Sequence, residues 1–93
     1  MRKSRREKPR YIACKGASPI PYLLRSLGEY HFGICIVKEV FSKGDIHIIR
    51  TSKDCFTLLR GLLSLTNEER CYPLAASGTL KALKQKLKEM GAI

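Results

Sequence analysis

The chain is short of acids: eight Asp and Glu stand against eighteen Lys and Arg, for a net charge of +10. The acids are scattered, and no two are spaced to suggest general acid–base work. Neither a Gly-rich phosphate loop nor a nucleophile signature is present, so the chain is not expected to be a catalyst by itself. His31 and His47 read as structural or surface histidines on neighbouring strands. No run approaches ~18 apolar residues, and the basic start lacks the apolar stretch of a signal peptide. That start runs directly into a strand-like segment, which also argues against a mitochondrial presequence. The four cysteines, Cys14, Cys35, Cys55 and Cys71, form no C-x-x-C and none adjoins a histidine. Metal sites use tight ligand pairs because one turn must aim two ligands at one ion, so no metal is expected here. The cysteines read as small buried apolar side chains, with intracellular disulfides as the lesser alternative. Asn67 is the only Asn and Gln85 the only Gln, a depletion found in proteins from hot environments.

What the chain does have is a basic tail and enough apolar residues for one core. Hydrophobic residues make up 44% of the 93, which fits a single packed domain with no room for a second. Residues 1–10 hold Arg2, Lys3, Arg5, Arg6, Lys8 and Arg10 against Glu7 alone, half of the net charge. The division expected is a basic tail over 1–9 and one α/β domain over 10–93. Such a tail repels itself and suits a polyanion.

Along the domain, Arg10–Lys15 alternates as a first strand up to Gly16. Ser18 is placed to cap a helix that Pro19 and Pro21 open, and Ile20, Leu23, Leu24 and Leu27 carry its apolar stripe to an end near Gly28. Phe32–Phe41 and Ile46–Thr51 read as a hairpin about Ser42-Lys43-Gly44-Asp45. Ser52 is placed to cap the next helix, whose apolar face holds Cys55, Phe56, Leu59, Leu62 and Leu63. Leu58 and Leu65 widen that face beyond a packing stripe. The excess fits deeper burial slightly better than a protein interface, which these two leucines would otherwise form. Asn67-Glu68-Glu69 turns into a fourth strand, Cys71–Ser77, where Pro73 implies an edge or irregular position. A last helix spans Thr79–Met90 and ends at Gly91. The order is β-α-β-β-α-β-α. It predicts an α+β fold, a ferredoxin-like or RRM-like split βαβ sandwich with an added C-terminal helix.

The last helix has the most explicit chemistry. Leu80, Leu83, Leu87 and Met90 share one arc, and Lys81, Lys84 and Lys88 line the next as a track for phosphates. Ser77 and Thr79 flank Gly78 at its start, where hydroxyls, free N–H groups and the positive dipole end can meet an anion. With Lys15 of the first strand and the basic tail, these are the expected RNA-binding residues. Stacking of bases on the sheet is not expected: the third strand, Gly44-Asp45-Ile46-His47-Ile48-Ile49-Arg50, has none of the aromatics an RNA-recognition motif uses. Recognition by charge and shape remains, with a generic basic module for ribosomal RNA or chromosomal DNA as the alternative.

The chain resembles the archaeal and eukaryotic ribonuclease P protein component 2 family. The resemblance is carried by Lys8-Pro9-Arg10-Tyr11, the Gly28 region, Ile48-Ile49-Arg50, the leucine-rich helix, and Ser77-Gly78-Thr79-Leu80-Lys81-Ala82-Leu83-Lys84, in the family's order. It implies a noncatalytic subunit that supports the catalytic RNA in removing the 5′ leader of precursor tRNA. It further implies ribonuclease P RNA as partner, indirect contact with precursor tRNA, and Mg2+ held by the RNA, with no cofactor on the chain. Pairing with ribonuclease P protein component 3, a TIM-barrel-like protein, possible self-association, and a cytoplasmic place in an archaeon follow from the same resemblance. One departure is a shorter stretch between the first strand and Gly28, which leaves only a short first helix.

Overall fold

The computed structural model describes residues 9–64 and 71–93. Arg2, Lys3, Arg5, Arg6, Lys8, Leu65 and the turn expected at Asn67-Glu68-Glu69 lie outside the described residues. The described elements are β1 (Pro9–Gly16), α1 (Ile20–Ile34), β2 (Lys38–Lys43), β3 (Ile46–Ser52), α2 (Phe56–Ser64), β4 (Cys71–Ser77) and α3 (Leu80–Glu89), and a 3-10 turn (Lys53–Cys55) leads into α2. The fold is α+β. Its four strands form one sheet in the order β2-β3-β1-β4, with every neighbouring pair antiparallel. That order is compatible with a split βαβ arrangement.

The period-2 alternation of the strands divides the apolar residues between two layers. Ile12 and Cys14 of β1 and Ile49 of β3 face α1 and α2, where they pack with Leu23, Leu59 and Leu63. Ala13, Ile46 and Ile48 face the other way and are covered by Leu83 and Leu87 of α3. Each of these fully buried leucines contributes ~1.5–3 kcal/mol of transfer free energy. The sheet is therefore closed on both faces. A hydrogen bond from Tyr22 Oη to the Leu62 carbonyl (2.8 Å) ties α1 to α2.

Local chemistry sets the corners. The hairpin between β2 and β3 closes over Gly44-Asp45, with Gly44 at φ 61°, as the two-residue turn demands. Gly28 interrupts α1 at φ 81°, ψ 160°, a backbone combination open to glycine and strained for other residues. The first apolar stripe thus does end at Gly28.

Several expectations need correction. Residues 32–37 are not strand: the chain re-enters a helical segment after Gly28, and β2 starts only at Lys38. His31 is accordingly helical and exposed. The cause is anchoring at Cys35, whose carbonyl accepts both Thr51 Oγ1 (3.0 Å) and Ser52 N–H (3.0 Å), holding the chain beside the end of β3. Tertiary contacts of this kind override the β preference of Phe32, Ile34 and Val37. The serine caps form only in part: Ser18 Oγ accepts from Ile20 N–H (3.4 Å) from one residue before the cap position. Pro19 takes the cap position of α1, while Ser18 Oγ donates to Glu39 Oε1 at 2.8 Å, and Ser52 makes no side-chain cap bond. Met90 is not part of the α3 core face but 53% exposed, because Gly91 turns the chain so that Ala92 and Ile93 pack there instead. Leu58 is 49% exposed, so the wide apolar arc of α2 is not wholly buried.

The cysteines depart furthest from expectation. Cys35 and Cys55 form a disulfide between the end of α1 and the start of α2, with Cα atoms 5.6 Å apart. Cys14 and Cys71 remain buried thiols on adjacent strands. The edge position predicted from Pro73 is as expected. β4 is an outer strand, and its register with β1 shifts beside Pro73, which pairs with Cys14.

Candidate nucleic-acid interface

The two ends of the sequence that carry basic motifs meet in space. Tyr11 pairs with Ser77 across β1 and β4, so the start of the domain lies against the chain entering α3. A side chain at Gly78 would come within 3.5 Å of Arg10 Nη1, which places that guanidinium over the glycine. Thr79 then caps α3, its hydroxyl accepting from Ala82 N–H at 3.1 Å. That bond satisfies one of the orphan donors of the first turn and leaves the helix start polar and positive beside Arg10.

On α3, burial of Leu83 and Leu87 against the sheet turns the opposite side outward. Leu80, Lys81, Lys84, Gln85 and Lys88 line an open groove of about 550 Å³ along it. Lys81 and Lys88 are exposed. Lys84 is half-buried, its Nζ 4.4 Å from the centre of the Phe41 ring on β2, a cation–π contact that fixes the ammonium at the groove. Lys86 points away and donates to the Ala76 carbonyl at 3.0 Å.

A second group of cations was not singled out from the sequence. Lys38 of β2 lies directly opposite Arg50 of β3. Arg50 in turn pairs with Tyr11, and Tyr11 with Ser77. One row therefore crosses all four strands on the side of the sheet that α3 covers, at the end where α3 begins. Like charges set directly opposite each other destabilise a sheet. Lys38 and Arg50 are both exposed, and among the described residues the one ion-pair contact joins His47 to Glu39. The pair is thus uncompensated within the described residues. The signal was available in Ile46, Ile48 and Arg50, which alternate onto one face. That Lys38 stands opposite Arg50 depends on strand register, which the sequence alone does not display.

Lys15 does not join this cluster. It is exposed at the far end of β1, roughly 17 Å along the strand from Arg10. The apolar Leu58 lies on α2, across the sheet from the basic residues, beside Thr57, Gly61 and Leu62. His47 is structural. Its ring spans Glu39 Oε2 (3.0 Å) and the Gly16 carbonyl (3.1 Å), joining β2, β3 and the end of β1. Among the described residues no group of three or more His, Cys, Asp and Glu is placed to hold a metal ion. No described helix is long and apolar enough to cross a membrane. No family model matches the chain, and no curated protein matches it either.

Proposed function

We propose that this protein is a noncatalytic RNA-binding subunit of ribonuclease P that supports the catalytic RNA in removing the 5′ leader of precursor tRNA. The observation that carries the reading is the meeting of the two basic motifs, with Arg10 over Gly78 at the mouth of the lysine-lined α3. Both motifs belong to the segments on which the resemblance to component 2 rests. The Lys38–Arg50 pair, which has no ion-pair partner among the described residues, adds to it, because a polyanion laid across that end of the sheet would relieve the repulsion. With α3 lying over the sheet, recognition proceeds through phosphates and shape rather than through bases stacked on the strands. The fold is read as a ferredoxin-like sandwich with one added helix, a reading supported by the sheet order. Ribonuclease P RNA, component 3, precursor tRNA reached indirectly, and Mg2+ on the RNA belong to the same proposal. So do self-association and an archaeal cytoplasmic setting.

Two experiments test it. Sequencing the RNA crosslinked to the protein in its native extract is expected to return one dominant RNA of ribonuclease P architecture together with precursor tRNAs. A spread of ribosomal and unrelated RNA would leave only a generic basic module. Replacing Lys81, Lys84 and Lys88 together by Ala is expected to weaken RNA binding and to lower the salt slope by about 2–3 units, with the far-UV circular dichroism unchanged. Unaltered affinity in that variant would sink the role given to α3.

A further inference from the structure

The cysteines outside the Cys35–Cys55 bond are arranged for a reaction of their own. Cys14 pairs with Pro73, and Cys71 pairs with Gly16, so the two thiols sit diagonally across adjacent strands. Both belong to the buried cluster between the sheet and α1–α2, with exposures of 0% and 3%. Their side chains are hydrogen-bonded to each other. That bond and burial push the Cys14 thiol up, whereas the same bond lowers the Cys71 thiol. The thiolate therefore forms first on Cys71, with the Cys14 S–H directed at it.

The strand that carries Cys71, β4, is one of the two outer strands of the sheet. Pro73 brings no N–H to the ladder, and the register with β1 slips between Ala13 and Cys14. The pairing of β1 with β4 is thus interrupted beside the two sulfurs. Both sulfurs are buried, so exchange with a reagent in solution requires this edge to open.

We propose that Cys14 and Cys71 are a second disulfide site, closed by exchange with a small-molecule disulfide, and that the bond latches the edge strand β4 onto β1. The Cys71 thiolate attacks one sulfur of the reagent, and half of the reagent leaves as a thiolate. Cys14 then attacks the Cys71 sulfur of the mixed disulfide, its proton passes to solvent, and the second half leaves. Two protein thiols are oxidised, the reagent's S–S bond is reduced to two thiols, and one protein S–S bond forms. Because β4 leads straight into Ser77-Gly78-Thr79, the latch would hold the start of α3 as well.

The test uses the full chain and oxidised glutathione as the probe. After incubation at mildly alkaline pH and acid quenching, the protein is unfolded, alkylated and digested without reduction. No alkylated cysteine and a linked pair of peptides carrying Cys14 and Cys71 are expected. Amide exchange along β4 in the oxidised sample is expected to slow by at least roughly tenfold. Full alkylation of Cys14 and Cys71, or peptides joining either to Cys35 or Cys55, would overturn the site. A correctly bonded sample whose β4 exchange is unchanged would overturn the latch.

Discussion

Ile36 is the most strained residue described. It has φ 55° and is 57% exposed at the point where α1 ends and the chain turns to β2. A β-branched residue in the left-handed region costs ~1–2 kcal/mol, a position glycine takes at an entropic cost of ~0.5–1. Relief of strain outweighs the added freedom, so Ile36→Gly is expected to raise stability by up to ~1 kcal/mol, seen as a melting temperature higher by a few degrees. A drop would mean that the isoleucine side chain is held by contacts worth more than the strain. Residues of this kind explain what the sequence conceals. Gly28, Gly44 and Gly91 announce positive φ by their identity, and all three adopt it. Nothing in the string around Ile36 marks an isoleucine for that conformation. It is imposed by Cys35, pinned on three sides by its disulfide, Thr51 and Ser52.

Among the elements, α3 was the most legible, because its apolar and lysine positions obey one helical period and Thr79 and Gly91 bracket it. Even there Met90 leaves the core once Gly91 reverses the chain. The segment after Gly28 was the least legible, since its aromatic and branched residues suit a strand as well as a helix and the anchor that decides between them lies on β3. The basic row was only half visible for a similar reason: cross-strand neighbours depend on register, and two bulges, beside Val40 and beside Pro73, shift it. Register also makes the row testable. Arg50→Ala removes one member of a like-charged pair, so stability is expected to hold or to rise by ~0.2–1 kcal/mol while RNA affinity falls and the salt slope drops by about one unit. Urea unfolding and salt-dependent binding measured on the same preparation check both halves. Lower stability with unchanged binding would mark Arg50 as structural.

For the molecule as a whole, the alternation of the strands told which residues were buried, but not which cysteines were joined. Four cysteines permit three pairings, and spacings near twenty residues favour none of them. The observed bond closes a separation of 20 residues and ties α1 to α2. Its removal is expected to cost ~3 kcal/mol, read as a lower urea midpoint for the Cys35→Ala/Cys55→Ala double variant. An unmoved midpoint would mean that core packing alone holds the two helices together. All four sulfurs lie on the α1–α2 side of the sheet, whereas Lys38, Arg50 and the α3 lysines lie on the other. The sheet is thus a partition between two chemistries, one answering to electron supply and the other to ionic strength. A change of redox conditions can alter how firmly the protein holds its shape, the start of α3 included, without adding or removing a charge on the lysine face.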